Sequence, residues 1–175
     1  MKQTIQTFLL VIAALAMMRS PALAQATIHG DLMKDWANQK DTIVKIANAM
    51  PEDKFGFKAT PAQRSYGEQV LHIAQVNMML LATLGAKTPA PAVNLKATTK
   101  ADIVKAAADS FDYGTAVVKE FDNKTIQDTV QAMFLGPSTR ARILFFLMAH
   151  SQDIYGQMAV YLRLNGVVPP ASQRP

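Results

Sequence analysis

Two of the three histidines in this sequence, His72 and His150, are the side chains best suited to chemistry. Each falls inside a segment of helical periodicity, on the stripe that faces a helical core. In the first segment Gln69, His72, Ile73, Val76, Met79 and Leu80 recur at spacings of three and four. In the second, Ile143, Leu147, His150, Ile154, Met158 and Tyr161 do the same. A buried imidazole needs partners for both ring nitrogens. Two of them on facing helices can share a divalent metal ion. The alternative is a pair satisfied by hydrogen bonds to each other, to Gln69 or Gln75, or to water.

Other residues offer less. His29 stands ahead of the first expected helix and is expected to be solvated. Seven methionines lie beyond residue 24, but only Met79 and Met158 share the histidine stripes, so the set reads as core filling rather than copper handling. The absence of cysteine excludes a disulfide framework, a Cys-pair redox motif and an acylated lipoprotein terminus. No glycine-rich phosphate loop or serine nucleophile elbow occurs. The basic residues are scattered singly and the net charge is +5, of which Lys2 and Arg19 supply two. A phosphate-tracking surface needs a run or stripe, so no nucleic-acid partner is expected.

The elements that must position the histidines are four helices. The first runs from about Gly30 to Ala49, with Leu32, Trp36, Ile43, Ile46 and Ala47 on one face and Pro51 closing it. Residues 51–64 read as an ordered loop anchored by Phe55 and Phe57. The second helix spans Ser65 to Leu84, opened by a Ser65–Glu68 capping box and ended by Gly85. Pro89 and Pro91 enforce a linker. The third opens at Thr99 and carries Ile103, Val104, Ala107, Phe111 and Val118 to about Phe121. The stretch from Ile126 to Leu135 reads as loop. The fourth helix comes after Gly136-Pro137-Ser138, with Pro137 or Ser138 at its start, and runs to Asn165 before Gly166. The fold class is therefore all-α, a four-helix bundle.

Residues 1–24 read as a secretory signal: Lys2, an apolar run from Ile5 to Met18, then Ala22-Leu23-Ala24 with cleavage after Ala24. The run is shorter than the roughly 20 residues that span a bilayer, so no membrane anchor is expected after cleavage. The mature chain, residues 25–175, has the length of one self-sufficient domain. A periplasmic or secreted location is expected.

Several stretches together give the chain a family resemblance. They are the Trp36 helix, Met50-Pro51-Glu52-Asp53-Lys54-Phe55, the approach from Arg64-Ser65-Tyr66-Gly67-Glu68-Gln69 to His72-Ile73-Ala74, and His150-Ser151-Gln152-Asp153-Ile154-Tyr155-Gly156-Gln157. On these the chain resembles the DinB-like proteins of the DinB/YfiT superfamily. The ending from Tyr161 to Pro170 is similar to that of an exported bacterial subgroup. The resemblance implies a four-helix bundle with a longer crossover between helices 2 and 3, often homodimeric, and a metal held by one histidine from the second helix and an H-x-x-x-H on the last.

His72 and His150 match the first two of those positions, whereas Ile154, which has no donor atom, occupies the third. Asp153 can substitute, because an i,i+3 pair also projects to one side of a helix, giving a two-histidine, one-carboxylate set: His72, His150 and Asp153. The expected cofactor is a divalent metal of the zinc, nickel or iron class. An ion with an open position would activate a water or a thiol. The expected function is an exported protein with an incomplete metal site and a small-molecule ligand, an enzyme only when that site is filled. The competing expectation is a non-catalytic binding or interaction module that has lost the metal.

Overall fold

The computed structural model describes residues 26–173; the signal expected over residues 1–24 lies outside them. Among the described residues four α-helices form, where the sequence supplies both an apolar stripe and a cap. α1 is Ile28–Ala49, opened by the Thr27 hydroxyl, which accepts from the Gly30 amide at 3.1 Å. α2 is Tyr66–Leu81. Its capping box is complete, with Ser65 N–H donating to Glu68 Oε2 at 2.6 Å and Glu68 N–H to Ser65 Oγ at 3.2 Å. A 3₁₀ turn, Ala82–Leu84, carries α2 to Gly85, which takes φ +72°. α3 is Lys100–Val118, with Thr99 as its N-cap. α4 is Arg140–Leu164, and its end is a Schellman motif: Val167 N–H donates to Leu162 O and Gly166 N–H to Arg163 O, with Gly166 at φ +72°.

The expected all-α class needs correction. Thr129–Ala132 (β1) and Gly136–Thr139 (β2) pair antiparallel, with Gln131 opposite Pro137. The expected loop over 126–135 thus contains a 3₁₀ turn, Thr125–Gln127, and half a hairpin. Pro137 and Ser138 belong to β2 instead of starting α4. Thr139 is the cap, its hydroxyl accepting from the Arg142 amide at 3.2 Å.

α1 packs on α3 and α4, and α2 packs on the same two, so α1 and α2 stand at opposite corners. α1 and α3 are antiparallel, since His29 reaches the Val118 carbonyl at one end and Lys100 reaches the Asn48 and Met50 carbonyls at the other. α2 and α3 are parallel: Ile103 lies against Gly67 and Asn77 donates to Ser110. Parallel neighbours need a return connection the length of the bundle, and residues 85–99 provide it, with Gln75 donating to the Leu95 carbonyl. The longer crossover between helices 2 and 3 is therefore present.

The core centres on Trp36, Tyr66, Phe111 and Tyr161, each under 2 % exposed. Trp36 donates its indole N–H to the Phe111 carbonyl at 2.9 Å, a bond a buried indole requires. Phe55 and Phe57 anchor the loop as expected, edge-on to Tyr66 and Tyr161. His29 departs from expectation: it sits in the first turn of α1, half-buried, with Nε2 3.0 Å from the Val118 carbonyl oxygen. The Thr27 cap starts α1 two residues earlier than the apolar pattern suggests. Among the described residues no helix is long and apolar enough to cross a membrane.

Candidate functional site

α2 and α4 run antiparallel, and their facing stripes bring His72 and His150 together. The two Nε2 atoms are 3.2 Å apart, with ring centroids at 4.9 Å and planes at 70°. Both rings are half-buried. Burial pushes the His72 pKa below its ordinary 6.5, the Arg64 guanidinium lowers it further, and the Gln75 side chain opposes the shift. Burial also lowers His150, followed by repulsion from His72 and from Arg64, while Asp153 pulls the other way. At neutral pH the pair is therefore uncharged, one ring donating its single N–H to the other. His150 Nδ1 is buried without a hydrogen-bond partner. The cheaper tautomer leaves that atom a bare acceptor and makes His150 Nε2 the donor, since an unpaired acceptor nitrogen costs less than an unpaired N–H.

Of the three residues expected as ligands, the structure unites two. Asp153 faces outward and accepts from Gln157 Nε2 at 3.1 Å. Gln157 in turn accepts from Gln69 Nε2 at 2.7 Å, so a polar chain Gln69–Gln157–Asp153 runs along the α2/α4 seam beside the imidazoles. Ile154, one turn after His150, is only 3 % exposed and packs into the core. Among the described residues no group of three or more His, Cys, Asp and Glu side chains is placed to hold a metal ion. The expected hydrogen bond of the histidines to each other is present; Gln69 instead serves Gln157.

The imidazoles nevertheless fit a shared ion as a two-nitrogen grip. At Zn–N distances of about 2.0–2.1 Å, two nitrogens on one ion stand roughly 2.9 Å apart at a right angle and about 3.3 Å apart at the tetrahedral angle. The observed 3.2 Å lies in that interval.

Three further residues complete the surroundings, none of them singled out by sequence reasoning as a site residue. Arg64, on the loop before α2, is exposed and acts on both rings through its charge. Phe146, one turn before His150, stacks on it at 6.4 Å and 16°. Phe134, at the hairpin tip, meets Phe146 edge-on at 5.7 Å. Helical spacing of four from His150 was the signal for Phe146. Phe134 and Arg64 lie in irregular chain and carried no periodic signal.

With this geometry in view, the DinB family profile matches residues 18–175, nearly the whole chain. The chain belongs to the DinB family. Its fold is similar to that of a DinB-like protein from Bacillus cereus ATCC 10987, with a TM-score of 0.70, 17 % identity, and coverage of 79 % of this chain and 93 % of that one. A DinB-like protein from Bacillus subtilis superposes with a TM-score of 0.64 at 18 % identity, covering 82 % of this chain and 99 % of that one. No curated protein matches the chain. At such identities the DinB likeness speaks for the fold, and the function must be argued from the seam itself.

Proposed function

We propose that this chain is an exported, homodimeric DinB family protein whose His72–His150 pair takes up a divalent transition-metal ion together with a small-molecule ligand. The observation that carries the reading is the 3.2 Å convergence of the two Nε2 atoms from opposite helices. His72 and His150 would hold the ion, and Asp153 would add a carboxylate on exchanging its bond to Gln157. Imidazole donors with one carboxylate suit the zinc, nickel and iron class. A bound ion with open positions would supply Lewis acidity, lowering the pKa of a coordinated water or thiol. The protein contributes a partly desolvated seam, two neutral imidazoles that need lose no proton at neutral pH, and Arg64 close by. The homodimer is supported by Phe145, Val160 and Leu164, all more than half exposed on the outer face of α4.

The test is metal content and nickel titration of the full chain beside His72→Ala and Asp153→Asn. Near-stoichiometric uptake, abolished in His72→Ala and weakened in Asp153→Asn, supports the reading; a folded parent that takes up no nickel overturns it. A second reading has its own observation, the burial of Ile154 where the family resemblance implies a ligand. In it the pair is a neutral hydrogen-bonded couple within a non-catalytic binding module, and the metal-free outcome supports it.

A further inference from the structure

We propose that the cavity between the 51–64 loop and the outer face of α2 receives a short aliphatic carboxylate, held by Arg64 and Lys58. The inference rests on the part of the preceding reading that gives this chain a small-molecule ligand, and it supplies that ligand's place and chemical class.

Lys58, Gln63 and Arg64 of the loop and Glu68, Leu71 and Gln75 of α2 line a cavity of about 340 Å³, within the range of small-ligand sites. The three α2 residues recur at spacings of three and four, so they form one stripe along the helix. Glu68 and Gln75 are exposed and Leu71 is half-buried between them.

The walls are fixed by bonds of their own. The Tyr66 N–H donates to the Phe57 carbonyl and the Gly67 N–H to the Phe55 carbonyl, both at 2.9 Å, which holds the loop against the start of α2. Tyr161 donates to the Arg64 carbonyl at 3.0 Å, so the guanidinium hangs from an anchored backbone. Gln75 Nε2 donates to the Leu95 carbonyl of the crossover at 3.3 Å. A ligand entering here need not order the loop first, which spares the entropy that such ordering costs.

Two cations face one carboxylate in this lining. Glu68 accepts from the Ser65 N–H at 2.6 Å and lies 3.4 Å from Lys58, and the Ser65 amide above all holds its carboxyl below the ordinary range, so it is ionised and engaged. Among the described residues Arg64 makes no ion pair. An anion is thus drawn to Arg64, whose planar fork offers a carboxylate two parallel N–H donors, with Lys58 as a second charge. Pro61, Ala62 and Leu71 add carbon surface, which suits an alkyl chain and gives a bare oxyanion nothing. Arg64 and Gln75 are also the side chains that act on His72, by charge and by hydrogen bond. The bound carboxylate would therefore neighbour the histidine pair, which stands outside the cavity lining.

The experiment titrates butyrate, and separately acetate, inorganic phosphate and uncharged butyramide, into the full chain, following the side-chain amide signals of Gln63 and Gln75 by NMR. Butyrate should produce saturable shifts of both signals and bind about fourfold or more tighter than acetate, the scale of two partly buried methylenes. Binding should weaken by about fivefold or more in Arg64→Gln and in Lys58→Gln, the scale of one exposed charge pair. Both side chains are exposed, and circular dichroism checks that the variants fold. Butyramide or phosphate binding as tightly as butyrate, or either variant binding like the parent, overturns the inference. Cobalt titration of the same samples separates the two proposals. Cobalt uptake without butyrate binding sinks the carboxylate site and leaves the metal reading standing, whereas butyrate binding without cobalt uptake does the reverse.

Discussion

His72 and His150 place their Nε2 atoms 3.2 Å apart across the α2/α4 seam, and burial holds both rings below their ordinary pKa of 6.5. A group whose pKa is lower in the folded state contributes stability that is fully present above its unfolded value. That stability is lost as the pH falls through the folded value. From pH 6.5 downward the fold must either charge two adjacent half-buried rings or open the seam. Urea unfolding at pH 7.5 and 5.0 should show the parent losing stability toward acid by more than His150→Gln does. Equal losses would mean that the pair is not a source of acid sensitivity.

Tyr66 is fully buried and donates its hydroxyl to the Ile46 carbonyl at 2.5 Å. Burial, helped by Tyr155, raises its pKa far above the usual phenol value. Tyr66→Phe keeps the ring and removes the hydroxyl's bond to the Ile46 carbonyl, so it should cost about 0.5–1.5 kcal/mol in chemical denaturation. Ultraviolet titration of the parent should show one tyrosine that fails to ionise until the protein unfolds.

Two helical glycines should respond with opposite sign. A Cβ on Gly114 would lie 2.3 Å from the Trp36 ring, whereas one on Gly156 would meet nothing within 4 Å. Gly156→Ala should stabilise by about 0.5–1 kcal/mol, the usual helix-interior difference. Gly114→Ala displaces the indole that bonds to Phe111 and should destabilise by about 1–3 kcal/mol despite the same helical gain. Thermal melts of the two variants check both signs.

Export makes a prediction in mass. Intact-protein mass spectrometry of periplasmic material should find a chain beginning at Gln25, as cleavage after Ala24 requires. A full-length chain confined to the cytoplasm would rule out the exported location.

The helices were legible because their ends carry chemistry. Ser65 with Glu68, Thr99, Gly85 and Gly166 each satisfy or terminate backbone groups in ways visible in residue type alone. The hairpin was hidden because its strands have four residues each, one contains Pro137, and the tip depends on the positive φ of Met133. In the site, two stripes sufficed to predict that His72 and His150 meet. Asp153, i+3 from His150, is exposed and bonds to Gln157, a placement that the spacing alone did not fix. Arg64 was invisible because a loop has no period, and only the packed structure brings its charge to the imidazoles.

The central claim is that the seam keeps the geometry of a metal site with one position filled by Ile154, and Ile154→His tests it most directly. Residues four apart on a helix lie one above the other, so the new imidazole and His150 would grip one ion from the same face while His72 closes from α2. Cobalt titration of the folded variant should show binding about tenfold or more tighter than the parent, at least 1.4 kcal/mol, with loss on adding His72→Ala. A folded Ile154→His protein that binds cobalt no better than the parent would contradict that claim.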